Sequence, residues 1–301
     1  MKKLLLGMLA IVALVATSCE NNLEQGVNGG KTSVVTLNVT SPQIDTRAYS
    51  DGESATKLQY AVYDSNGNIL SGLTVTNDEI HIRKNITLQL TTGNTYSVIF
   101  WAAHPNAPYT VNLEDKTMEV SYDNATCNDE TRDAFYCYTS FTVTGAMEVD
   151  VELKRPFAQL NIGTNDYATS TTAGYTVTNS KIEVPAYKTL NLETGVVSGL
   201  ETVVYNYNAI PVGETFPVEN YEYMAMAYVL MAADKEVVDL SFSYYANNEN
   251  DAHSRSVGSV PLQRNRRTNL YGSLLTSGVV FDVVIKPGYD GEDYNSELLP
   301  L

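Results

Sequence analysis

Apolar and polar residues alternate along most of the chain with a period of two, which sets successive side chains on opposite faces of a strand. In SVVTLNVT, Val35, Leu37 and Val39 share one face, and in LQYAVYD so do Leu58, Tyr60 and Val62. NITLQL sends Ile86, Leu88 and Leu90 to one side. The Asn-Gly pair in DSNGN and the TTGN segment read as turns between such runs. YSVIFWA is apolar on both faces, which predicts a central strand, and TMEVSY, FTVTG and MEVDVELK extend the series. A second series opens at RPFAQLNIG, where Phe157, Ala158, Leu160 and Ile162 mark a buried strand. It continues through SKIEVP, TLNLETG, TVVYNY, YEYMAMAYVLMA, VVDLSFSYY, RTNLYGSLL and VVFDVVIKPG. Only NDETRDAFY and ATSTTAGY suggest short helical turns, and no long stretch carries a 3.6-residue period. The pattern predicts an all-β protein of packed antiparallel sheets. Its length suits two sandwiches meeting near Lys154-Arg155-Pro156, one over 32–154 and one over 155–289. No flexible linker marks the join, and no clean internal repeat is visible.

The N-terminus departs from this pattern. Lys2 and Lys3 precede a continuous apolar run from Leu4 to Ala16, too short to span a bilayer and suited to a signal peptide over 1–18. The run ends in small residues, Ala16-Thr17-Ser18, followed by Cys19, and resembles a bacterial lipobox although Ala16 stands where Leu is commoner. Cys19 is therefore the expected lipidation site, and several acyl chains there would anchor the chain stably. Residues 19–31, rich in Asn, Gly and Glu, read as a flexible tether. At the other end, residues 290–301 read as an acidic tail; Asp290, Glu292 and Asp293 there suit solvation better than a cation site.

Charge and candidate chemistry narrow the picture further. The 301 residues carry 19 Lys and Arg against 35 Asp and Glu, a net charge of −16, which excludes nucleic acid as a partner because phosphate binding needs clustered cations. The 21 tyrosines suit half-buried sheet surfaces. Cys127 and Cys137 leave two readings open, a disulfide permitted in an exported chain or two buried free thiols. Ser54-Ala55-Thr56-Lys57 fits a nucleophile motif that needs a helix, but it runs into a strand. Asp64 to Asn68 begins like a calcium loop, yet Ile69 and Val75 stand where that loop needs Gly and Glu, so a turn explains it better. His81, His104 and His253 have no ligand spacing. No phosphate-cradling glycine loop, HExxH or GxSxG occurs, so neither an enzyme nor a cofactor is expected. Arg264, Arg266 and Arg267 cluster in QRNRRTNLYG; pairing with nearby acids is the ordinary reading, and a clamp for an anion or a partner's carboxylates is the other.

The lipobox cysteine, the tether, the first strand, TRAYSDG, LQYAVYDSNGNIL, LTTGNTYSVIFWA, RPFAQLNIG and QRNRRTNLYGSLLT together resemble the fimbrillin-like lipoproteins of Bacteroides and its relatives. The resemblance covers nearly the whole chain after the signal. It implies two transthyretin-like β-sandwich domains in a subunit of an adhesive surface pilus, exported to the outer membrane as a lipoprotein and finally resident in the fimbria. It also implies an arginine-specific protease and other pilus subunits as partners, with assembly by strand exchange. The first strand lies between Cys19 and Arg47, so a cut at Arg47–Ala48 would remove lipid and strand together. Pro42 before Arg47, and Ser50, Asp51 and Gly52 after it, favour an accessible loop. The groove so opened would accept a strand, for which Val279, Phe281, Val283 and Ile285 are the candidate donor residues. A pilus anchor or accessory subunit, or a non-polymerising surface lipoprotein that binds glycan or protein, are the competing readings.

Overall fold

The computed structural model describes residues 22–23, 30–42, 49, 51–247, 252–276, 282–286 and 294–297, with backbone alone at 22–23, 282–286 and 294–297. The chain is almost entirely β. Seven strands make a first sandwich: β1 (Thr32–Thr40), β2 (Lys57–Tyr63), β3 (Val75–Glu79), β4 (Arg83–Thr91), β5 (Thr95–Ala103), β6 (Ala134–Thr142) and β7 (Met147–Glu152). Seven more make a second: β8 (Phe157–Thr164), β9 (Val177–Ala186), β10 (Glu201–Ala209), β11 (Glu222–Leu230), β12 (Glu236–Ala246), β13 (His253–Leu262) and β14 (Arg267–Gly272). Two further strands, β15 (Asp282–Lys286) and β16 (Tyr294–Glu297), extend a sheet of the second.

The two sandwiches have one topology. In the first, β4-β1-β7 faces β3-β2-β5-β6; in the second, β11-β8-β14 faces β10-β9-β12-β13, each strand seven places on. In both, the opening strand lies between an antiparallel neighbour (β4 or β11) and a parallel one (β7 or β14). This is an internal repeat of connectivity that the residue pattern does not reveal. The sheets differ at one end: β7 is the last strand of its sheet, whereas β14 carries β15 and then β16. At the other end, Asn22–Leu23, within the span read as tether, pair in parallel with Leu88 and Gln89 of β4.

Three apolar layers hold the fold. Val35, Leu37, Val39, Ile86, Leu88 and Leu90 meet Leu58, Tyr60, Val62, Tyr96, Val98 and Phe100 inside the first sandwich. Leu160, Ile162, Val184, Val229, Phe242 and Leu270 lie inside the second. The third layer lies between the sandwiches, because β5 and β11 are apolar on both faces: Ile99 and Trp101 point outward to meet Met226, Tyr228 and Leu230. A small sheet of Tyr109–Asn112, Thr117–Val120, Thr189–Asn191 and Val197–Ser198 contributes Met118, Val120 and Leu190 to this layer. The two expected helical turns are a 3-10 turn at Glu130–Arg132 and an α-helix, α1, at Tyr167–Thr172. Strands β3 and β13 escape the sequence pattern. Both lie at sheet ends and carry mostly half-exposed or exposed residues, which leaves little hydrophobic signal to read.

Candidate strand-exchange site

β1 is a central strand. It pairs antiparallel with β4 over nine residues, Thr32↔Thr91 to Thr40↔Arg83, and parallel with β7 over six, Met147↔Val35 to Glu152↔Thr40. Val35, Leu37 and Val39 are fully buried, and Leu37 stands between Ile86 and Val149. Burying three such side chains is worth roughly 5–9 kcal/mol before the ladder hydrogen bonds. The opposite face of β1 is open to solvent: Val34 is exposed, and Asn38 donates to Asp150 at 3.0 Å and Glu148 at 3.3 Å. β1 therefore stabilises one core only, from one side.

After β1 the backbone leaves the sheet and comes back to the same place. Ser41 donates its N–H to the Ile82 carbonyl at 2.8 Å. Gly52, at φ 79, approaches so closely that a Cβ there would stand 3.1 Å from the Pro42 carbonyl oxygen; only glycine fits this return without strain. Arg47 and Ala48, the expected processing bond, fall between these two points and outside the described residues. Cys19 is also outside them. Tyr49 is described, and its ring meets Tyr223 of β11 edge-on at 5.2 Å, which ties the residue beyond the expected cut to the second sandwich.

Of the candidate donor residues, Val279 and Phe281 lie outside the described residues. Val283 and Ile285 are in β15, paired in register with Leu270 and Thr268 of β14. The disulfide left open by the sequence is not formed: both thiols are free. Cys127 sits in the core of the second sandwich, its thiol 3.5 Å from the Tyr205 carbonyl oxygen, whereas Cys137 packs against the core of the first. Burial pushes the Cys127 thiol up to about 12, so it stays protonated and unreactive at neutral pH.

Arg264 departs from the ordinary reading of the basic cluster. Arg264 pairs with no carboxylate among the described residues; it donates instead to the carbonyls of Met231 at 3.2 Å and Gly195 at 2.8 Å, and to the Tyr136 hydroxyl at 3.0 Å. A buried ion pair lies at the junction of the sandwiches. Arg155 grips Asp133 through both oxygens, at 2.6 and 2.7 Å, with both side chains almost fully buried. Burial pushes the Asp133 carboxyl up and the Arg155 guanidinium opposes it. The residue pattern marks Arg155 only as a joint, since nothing in it links Arg155 to Asp133. Asp64 closes its turn by accepting from Asn66 and Asn68, as a turn reading requires, and Ser54 donates to the Glu130 carbonyl. His81 is exposed, His104 accepts from the Asn106 N–H, and His253 stacks on Tyr244. No group of three or more His, Cys, Asp or Glu able to hold a metal occurs among the described residues.

Several solved structures share this architecture. One is described as a candidate polysaccharide-binding protein of Bacteroides thetaiotaomicron, 12% identical, with a TM-score of 0.51 over 88% of this chain and 98% of that one. Another, a candidate cell-adhesion protein of Bacteroides uniformis, is 13% identical, with a TM-score of 0.51 over 85% and 98%. The fimbrial anchor protein Mfa2 of Porphyromonas gingivalis is 10% identical, with a TM-score of 0.46 over 85% and 98%. At these identities the likeness is one of fold. No curated protein matches the chain by sequence. Residues 26–299 match the family described as a family of unknown function, DUF6562, and the chain belongs to that family.

Proposed function

We propose that the protein is a structural subunit of an adhesive surface pilus, anchored first through lipid at Cys19, freed by cleavage after Arg47 and joined to other subunits by strand exchange. The observation that carries this reading is the central, one-sided placement of β1. A strand bonded on both edges leaves two unpaired edges and an apolar trough when it is lost, a costly state in water that another extended strand relieves. The adjacency of Pro42 and Gly52 supports it too, because residues 43–51 bridge two fixed points and a cut among them leaves β1 held only by its sheet.

β15 suits the donor role for a related reason. β15 and β16 extend a seven-strand framework that has the same connectivity as the first sandwich, so their departure leaves that framework whole. Val283 and Ile285 stand two positions apart in β15, the period of one strand face. The cell-adhesion description of the Bacteroides uniformis protein with this fold agrees with a place at the cell surface.

The N-terminal residue of the protein recovered from surface polymers tests the reading. It is expected to be Ala48, and Arg47→Ala is expected to abolish the polymers. Polymers of normal length that begin at acylated Cys19 would contradict it. Deleting 279–285 tests the donor separately: polymers that persist would move the donor to another segment while leaving the processing step intact.

A further inference from the structure

A cleft of about 570 Å³ opens where the two sandwiches meet. Its floor carries Tyr136 and Tyr138, alternate residues of β6 that turn away from the first core towards the layer between the sandwiches. One wall is the turn Leu192 to Gly195, and the other is the turn Gln263 to Arg266 that joins β13 to β14. Arg264 ties floor and both walls together through Tyr136, Gly195 and Met231. It spends three donors on neutral oxygens, so its charge is not cancelled. Arg266 has no carboxylate within ion-pair reach among the described residues, and its Nη1 is buried without a hydrogen-bond partner. A buried guanidinium nitrogen left without a partner is costly, and an incoming acceptor relieves that cost.

Two uncancelled guanidinium groups in one cleft of a chain with a net charge of −16 make a local field that selects for anions. The planar fork of arginine matches a carboxylate through two parallel hydrogen bonds. Beside the arginines stand two half-buried tyrosine rings, Tyr138 and Tyr136, the latter with the Arg264 guanidinium 5.9 Å from its centroid; the C–H face of a pyranose packs well on such rings. The Asn265 amide nitrogen, which has no partner among the described residues, gives a donor for a hydroxyl. Glu152 and Glu193 at the rim disfavour a densely charged polyanion, although Lys116 pairs with Glu193 at 2.9 Å. The volume lies in the range of small-ligand sites.

We propose that this cleft binds an acidic saccharide, a uronic acid unit whose carboxylate sits on Arg266 and Arg264 and whose ring lies against Tyr136 and Tyr138. The site depends on neither β1 nor β15, so it stands or falls apart from strand exchange. The test is calorimetric titration of the full chain with trigalacturonate, with its neutral methyl ester and with a triglutamate peptide. Trigalacturonate is expected to bind at least about tenfold more tightly than the ester, the ratio that loss of one charge-assisted pair gives. Arg266→Gln, at an unchanged melting temperature, and separately Tyr138→Ala are each expected to weaken trigalacturonate by about tenfold or more. The ester comparison needs no variant, so a misfolded mutant leaves the test intact. Equal binding of acid and ester, or no binding of trigalacturonate at millimolar concentration, would overturn the proposal. Binding of triglutamate alone would overturn it in favour of an acidic peptide.

Discussion

β1 and β8 open their sandwiches at the same topological position, yet they are held very differently. β1 alternates: three of its side chains are fully buried, and its other face carries Val34 and polar residues that are half or fully exposed. β8 is buried along all eight residues. Ala158, Leu160 and Ile162 enter the second core, and Phe157 enters the layer between the sandwiches. Two of its polar residues bond to neighbours: Asn161 donates to Asn269 of β14 at 2.9 Å, although its own Oδ1 is buried without a partner. Thr164 donates to Asp166, whose carboxylate accepts from the N–H groups of Leu275 and Thr276 at 3.0 and 2.8 Å. The chain enters β8 through the buried Arg155–Asp133 pair. The same connectivity thus supports one strand covered on a single face and one covered on both, and the proposed release of β1 rests on that difference.

The contrast can be broken most forcefully at the entrance to β8. Arg155→Ala strands the Asp133 carboxylate in the interior and is expected to cost about 3–5 kcal/mol, read as a lowered denaturation midpoint. A loss under 1 kcal/mol would show that the junction is not held as described. Next come Leu160→Ala and Leu37→Ala, each in the range of about 2–5 kcal/mol for a leucine truncated in a packed core. Leu160, in a strand covered on both faces, belongs near the top of that range, and Leu37, in a strand covered on one, near the bottom. Hydrogen exchange sharpens the pair: Leu37→Ala is expected to lower protection in β1, β4 and β7 alone, whereas Leu160→Ala lowers it on both sides of the junction.

Gly163→Ala is expected to cost about 1–3 kcal/mol, because a Cβ there would lie 2.6 Å from the Phe216 ring, which is itself buried. A neutral result would mean that β8 has slack the structure does not show. The smallest effect concerns pH. Burial pushes the Asp166 carboxyl up, but donors from Thr164, Thr276 and Leu275 outweigh it and hold the group below its usual range. Its folded value is depressed, so the stabilisation is present above the unfolded value of about 3.9 and is lost as pH falls through the folded one. The melting-temperature gap between the wild type and Asp166→Asn should accordingly narrow between neutral pH and pH 3; a gap that widens would reverse the assignment.

Where apolar alternation is strong, the strands are legible in the residues alone. Val35-Leu37-Val39, Ile86-Leu88-Leu90 and the two-faced YSVIFWA all lie where the pattern puts them. The repeat is hidden because β1 and β8 do the same topological job in different surroundings, one half-covered and one covered on both faces, so their residues share no pattern. The third apolar layer is half visible: Ile99 and Trp101 announce a second covered face, but nothing names Met226 and Tyr228 as its partners. The arginine cluster is legible as a cluster only. Whether a guanidinium meets a carboxylate or a backbone carbonyl depends on the turns that approach it, and Gly195 and Met231 are far from Arg264 in sequence.

The central claim is that loss of β1 converts a closed subunit into one that accepts a strand from its neighbour. Sedimentation of two purified chains at equal concentration, one beginning at Glu20 and one at Ala48, measures this directly. The chain that retains β1 is expected to remain monomeric, and the chain that lacks it to assemble into polymers whose formation the charged substitutions Val283→Asp and Ile285→Asp suppress. A chain from Ala48 that stays monomeric and folded, or equal polymerisation of the two, would contradict the account.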